Sequence, residues 1–206
     1  MEYNHTFSNM NRILDHMRVP TDTDTDLKMS VRAYMKHSKS AMEQRYQKTT
    51  FDLLSPLLAE RVTHRGTSFM QRGHVIWMKG ISMSLKADIF RHMGTESYPP
   101  REEIAASQRM YVLKKGTLAI NTSGTSHKKL HRLITASSPN VVWNEDMLLD
   151  TPELRLHSVG KTVYFCEVDY IDRAVLDELI SHYEDDAQII RRRILWLAVF
   201  RMVDYM

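Results

Sequence analysis

The sequence contains a single cysteine, Cys166, in 206 residues. That excludes an intramolecular disulfide framework and suits a reducing compartment. No apolar run approaches the roughly 18–20 residues that a spanning helix needs, and the stretch from Met1 to Asn11 is polar, unlike a signal peptide. The chain is therefore expected to be cytoplasmic and not itself to cross a membrane. Strong charge of either sign is also missing. A net charge of +3 argues against nucleic acid or an anionic membrane as partner. Ten histidines show no ligand spacing: His64, His74 and His92 are spread along helical sequence, and His127 and His131 are four apart in a loop–strand segment without a Cys pair. Ser158 has no base nearby in sequence, and no triad is recognisable. Cys166, in a β-rich run, reads as a small buried hydrophobe. No metal, cofactor or enzymatic activity is expected. The 43% hydrophobic content is ordinary for a globular protein, and the length allows one typical domain plus a smaller appendage.

The boundary between the two is placed at 67/68. Residues 1–67 read as helices with breaks. Phe7, Met10, Leu14 and Met17 form one stripe at helical spacing. Pro20 and the run Thr21–Asp26 end it. That run lacks the glycine and distal glutamate of a calcium loop and reads as a cap, with Asp26 as N-cap of a second helix. Leu27, Val31 and Tyr34 or Met35 supply that helix's buried face. Lys36–Lys48 is polar and basic, a solvated helix or loop. In Leu53–Val62, Ser55 is placed to cap and Pro56 to take the first helical position.

Residues 68–206 change character. Ser68–Met93 continues as helix, with Val75, Met78, Ile81, Leu85, Ile89 and Met93 facing a core and Ser82 capping the helix from Met83. Tyr98-Pro99-Pro100-Arg101 is extended. Met110–Ile120 alternates on both sides of Lys115-Gly116 and predicts a hairpin. Asn121–His127 is a polar turn, and Val163–Val168 is rich in β-formers. Asp169 is expected to cap a helix through Leu176, Leu179 and Ile180. A last helix follows Glu184. Its run Arg191–Arg193 reads as a solvated face paired with Glu184–Asp186, or as one that reaches a bound base or phosphate. The fold class is α+β: a helical N-terminal region, then an antiparallel β-roll or jelly roll with C-terminal helices as its cap.

The most informative stretch is Pro139–Leu149, with Arg155-Leu156-His157-Ser158-Val159 just downstream. A turn leads to an apolar pair and an aromatic, then Asn144, Glu145, Asp146 and Met147 open a short helix. Arg155 follows ten residues after Glu145. This layout resembles the phosphate-binding cassette of cyclic-nucleotide-binding domains, usually Pro-Gly-Asp-x-Phe-Gly-Glu, a short apolar helix, then Arg-Thr-Ala-x-Val. Upstream, Met17-Arg18-Val19-Pro20 and Leu53-Leu54-Ser55-Pro56-Leu57-Leu58-Ala59-Glu60-Arg61-Val62 resemble the C-linker of cyclic-nucleotide-gated, hyperpolarisation-activated and related potassium channels.

The resemblance implies a regulatory module: a C-linker-like region, residues 1–67, and a cyclic-nucleotide-binding-like domain, residues 68–206, whose last helix is a lid. It assigns Glu145 to a ribose hydroxyl and Arg155 to the phosphate of cAMP or cGMP. Asn144, Asp146, Met147 and Leu156 complete the cassette. The physical basis is a helix N-terminus facing an anion and a guanidinium making charge-assisted bonds to it. Four departures oppose that role. Asn140 and Asn144 replace glycines, although asparagine tolerates left-handed angles. Leu156 lacks a hydroxyl, and Asp146 puts a negative charge where the anion should sit. Weak or absent nucleotide binding is expected, with Arg155 pairing to Glu145 or Asp146. The resemblance also implies a homo-oligomer, a tetramer in these channels, with Met10, Leu14, Met17 and Val31 meeting a neighbour, and attachment to a membrane only through a channel or transporter parent or partner, at its cytoplasmic face. The alternative is a free-standing interaction protein that keeps the fold without the ligand. A transcription factor is disfavoured, because no helix-turn-helix follows the last helix.

Overall fold

Eight strands carry the fold in the computed structural model, which describes residues 2–16, 27–39, 53–55, 57–58, 61, 76–104, 108–123, 129–138 and 141–205. They are β1 (Gly94–Tyr98), β2 (Glu103–Ile104), β3 (Arg109–Lys115), β4 (Thr117–Ser123), β5 (Lys129–Thr135), β6 (Val142–Trp143), β7 (His157–Thr162) and β8 (Cys166–Asp172). All pair antiparallel, and the pairings nest: β1 with β8, β2 with β7, β3 with β6, β4 with β5. Added pairings of β3 with β8 and β4 with β7 give two four-stranded sheets, ordered β1-β8-β3-β6 and β2-β7-β4-β5. Leu118, Ile120 and Ile134 of one sheet and Met110, Val112, Val168 and Ile171 of the other share one buried core. Each such side chain contributes on the order of 1.5–3 kcal/mol by leaving water.

The alternating stretch around Gly116 is a corner and not the hairpin expected of it, because β3 and β4 lie in different sheets. Gly116 has φ +94°, and a Cβ there would stand 2.3 Å from the Phe165 carbonyl oxygen. Only glycine permits that angle and that approach. A register shift between Leu113 and Lys115 bends β3 just before the corner. The true hairpin partner of β4 is β5, over seven residue pairs. Asp169 is likewise no helix cap. It lies inside β8, buried, accepting a bond from Thr95 Oγ1 at 2.6 Å and paired with Lys114 Nζ at 3.3 Å. The N-cap is Asp172. Val163 and Tyr164 precede β8 as a bend and are exposed, so the strand starts at Cys166.

Five helices accompany the sheets among the described residues: α1 (Glu2–His16), α2 (27–39), α3 (Met83–His92), α4 (Arg173–Ser181) and α5 (Glu184–Tyr205). Ser82 caps α3 as its position suggests, accepting from Leu85 N at 3.2 Å. The expected continuous helix through Met93 is interrupted: Ile76–Met78 form a 3-10 turn and Gly80 takes φ +89° before α3 begins. Asp186, buried in the first turn of α5, accepts from Ser82 N at 2.8 Å and Ser82 Oγ at 2.5 Å, so one serine anchors the starts of α3 and α5. In the N-terminal region Leu14 and Met35 are buried, whereas Ile13, Leu27 and Met29 are exposed. His37 of α2 stacks on Phe165 at 4.2 Å between ring centroids, which brings this region onto the sheets. Met17, the Thr21–Asp26 run, Pro56, residues 62–75, His127 and Asn140 lie outside the described residues.

Candidate functional site

The segment between β6 and β7 is fixed from both ends. Trp143, buried, stacks on Tyr111 with ring centroids 4.9 Å apart. Asn144 then reverses the chain at φ 63°, ψ 32°, the left-handed conformation expected at this position. Its side-chain Nδ2 donates to the Arg109 carbonyl at 2.6 Å, so asparagine here tolerates the angle and also supplies an anchor that glycine lacks. Glu145–Leu148 form one 3-10 turn, with Met147 and Leu148 in the core. A second turn, Pro152–Leu154, leads to Arg155 and β7.

Asp146 is buried at 5% exposure, and both its oxygens are taken. Oδ1 meets the Arg201 guanidinium from α5, Nε and Nη2 each at 2.8 Å. Oδ2 accepts the backbone N–H of Leu156 at 3.2 Å. A carboxylate of the chain itself thus holds a guanidinium and a backbone amide, the donor types that would recognise an exogenous anion.

Arg155 does not pair with Glu145 or Asp146, contrary to expectation. Its Nε donates to the Leu149 carbonyl at 2.9 Å and its Nη2 faces the Asp150 carbonyl at 3.5 Å. Arg173, the first residue of α4, donates to the carbonyls of Met147 at 2.6 Å and Leu149 at 2.9 Å and pairs with the Asp150 carboxylate. Two guanidiniums therefore cap the carbonyl end of the 145–148 turn, where partial negative charge collects.

Glu145 stands next to Asp146 and is partly buried. Burial pushes its carboxyl up to about 7, the charge of Asp146 adds to the rise, and Arg132 and Arg201 oppose it. Its Oε1 is buried and has no hydrogen-bond partner among the described residues. Arg132, on β5, donates to the Val142 carbonyl at 3.1 Å, and burial lowers its pKa.

Of the predicted site residues, the structure brings Asp146 and Leu156 together, sets Glu145 beside Asp146, leaves Met147 in the core and turns Arg155 onto backbone. The sequence reading missed Arg132, Arg173 and Arg201 as members. Each comes from a separate element, and no local motif marks them. Among the described residues, no three His, Cys, Asp or Glu side chains gather as a metal ion would require, and no helix is long and apolar enough to cross a membrane. No family model and no curated protein matches the chain.

Proposed function

We propose that the chain is a cytoplasmic regulatory module of the cyclic-nucleotide-binding type whose cassette is closed by its own carboxylate. The nested strand order supports reading the two sheets as a jelly roll, since a long eight-stranded hairpin rolled on itself produces those pairings. The left-handed Asn144, the short turn after it and the two C-terminal helices support the cassette-and-lid reading. The observation that carries the proposal is Asp146, buried and bound to Leu156 N–H and to Arg201 of α5. With the anion position so filled, α5 is held without a ligand, and cAMP or cGMP binds weakly or not at all. A ligand shifts a conformational equilibrium only by its differential affinity for the two states, so the module acts through its packing and partners. A channel or transporter parent and tetrameric assembly belong to this proposal on the strength of the resemblance.

The test is calorimetry with cAMP and cGMP on the wild type, Arg155→Ala and Asp146→Asn. No heat in the first two supports the closed cassette, with binding gained on Asp146→Asn adding to it. Micromolar binding by the wild type, abolished by Arg155→Ala, overturns it and makes the chain a nucleotide sensor.

A further inference from the structure

Helix α5 has two faces, and the rest of the domain covers one. Ala187 and Ile190 are buried, and Arg201 holds Asp146. Turned to solvent are Leu195, Trp196, Val199, Phe200, Met202 and Val203, each between 47% and 66% exposed. At about 3.6 residues per turn the six fall on one arc of roughly 160°, so they form a patch and are not scattered. Trp196 and Phe200 lean on each other, with ring centroids 6.3 Å apart. A contiguous apolar surface on the order of several hundred Å² marks an interaction site. Charge says what it meets. Arg192 falls on the middle of the same arc and Arg191 and Arg193 at its edges, about one turn before the patch. Arg191 and Arg192 are exposed. The acids expected to pair with them do not: Asp186 is bonded to Ser82, and Glu184 and Asp185 lie about two turns away. Among the described residues none of the three arginines makes an ion pair. From Ala187 to Val203 the helix carries four arginines and no carboxylate.

We propose that this face of α5 docks on an anionic phospholipid bilayer, the helix lying along the surface. Leu195, Trp196, Val199, Phe200, Met202 and Val203 enter the boundary between headgroups and acyl chains, and the arginines meet headgroup phosphates. The guanidinium fork matches a phosphate, and an indole suits the level of the headgroups. A second copy of α5 brings the same four arginines over this stretch and no carboxylate, so self-pairing leaves them without counter-charge. The arc is also wider than the seam by which two helices pair, whereas a plane accepts it. The whole-chain charge of +3 is small, but on this face the cations stand together beside the apolar patch. The opposite face of α5 carries the Arg201–Asp146 contact, so docking leaves that contact in place. The inference stands apart from the cyclic-nucleotide reading and holds whether or not a nucleotide binds.

The experiment is flotation of the full chain with vesicles of phosphatidylcholine alone and with about 30% phosphatidylserine, alongside tryptophan emission. Trp77 and Trp143 are buried, so a blue shift on binding reports Trp196. The chain should float with the anionic vesicles, bind neutral ones at least tenfold more weakly, and lose affinity as salt rises. Arg191→Gln with Arg192→Gln should weaken binding about tenfold or more, at roughly fivefold per arginine. Leu195→Glu with Val203→Glu should abolish it. All four positions are exposed, so thermal unfolding of both variants should match the wild type, which separates lost docking from lost fold. No flotation, equal binding to neutral vesicles, or binding that survives either pair of substitutions would overturn the proposal. So would a wild type that ignores vesicles but self-associates until Leu195→Glu with Val203→Glu is made, which would assign the face to a second copy.

Discussion

Asp146 and Arg201 meet at 2.8 Å, joining a turn to the last helix across 55 residues of sequence. The carboxylate is buried and the guanidinium partly so, which makes each the other's main compensation for lost hydration. Removing one partner leaves the other uncompensated, and such losses run to several kcal/mol where burial is complete. With Arg201 a quarter exposed, Arg201→Ala is expected to cost about 2–3 kcal/mol by urea unfolding. Asp146→Asn should cost less, since the amide still accepts from Leu156 N–H. The double variant should fall short of the sum by about 1 kcal/mol or more, the coupling of a direct contact. Full additivity would show that the pair does not hold the helix.

Among the described residues, two carry left-handed backbone without being glycine: Asn144 at φ 63° and Arg101 at φ 70°. Their expected responses to glycine differ. Among the described residues the Arg101 side chain has no anchor of the kind Asn144 has, so Arg101→Gly should stabilise by about 0.5–1 kcal/mol through relief of strain. Asn144→Gly relieves strain but loses the bond to the Arg109 carbonyl, and should be neutral to about 1 kcal/mol destabilising. Asn144→Val should cost about 1–2 kcal/mol or more. Thermal unfolding of the three variants separates these cases. Equal effects of glycine at both positions would refute the anchor.

What the sequence disclosed follows the range over which its signals act. Ser82 as a cap and Asn144 as a left-handed residue are local matters of a few dihedrals, and both stand in the structure. The α+β composition was also legible, because periods of 3.6 and 2 differ over short windows. Sheet membership was not. Alternation around Gly116 looks the same whether the chain folds back on its own strand or crosses to another sheet, and the choice rests on β5, β6 and β8 far away. Asp169 misled because an acidic residue before a helical pattern reads as a cap, while its neutralising partners, Thr95 and Lys114, come from other strands. The cation on Asp146 was missed for the same reason, since Arg201 is 55 residues away, whereas Arg155 turned to the nearby carbonyls of Leu149 and Asp150 and not to a carboxylate.

The exposed large apolar side chains of α1 and α2, Ile13, Leu27 and Met29, differ from the set expected to meet a neighbour, since Leu14 is buried. Their exposure at 54%, 52% and 58% is high for residues of this kind. Sedimentation of the full chain over a dilution series is expected to show concentration-dependent association, and Ile13→Glu with Met29→Glu to shift it at least tenfold towards monomer. A chain that stays monomeric at high concentration would remove self-association from the proposed function.

Glu145 gives the chain a pH dependence of defined sign. Its carboxyl titrates near 7 in the folded chain, because burial and the adjacent Asp146 charge outweigh Arg132 and Arg201, against an ordinary value of 4.5. A group whose folded pKa is raised contributes stability that is fully present below the unfolded value and lost as pH rises through the folded one. The contribution is therefore intact near pH 4.5, falls across pH 4.5–7 and is gone by about pH 8. Its size is at most about 3 kcal/mol from the displacement. Glu145→Gln keeps the shape and cannot ionise. Relative to it, the wild type should lose stability steadily between pH 5 and pH 8, so the variant is the more stable protein at pH 8. Urea midpoints of both proteins at half-unit steps measure the difference directly. Parallel curves across that range would mean that Glu145 ionises normally and that its buried oxygen is reached by water.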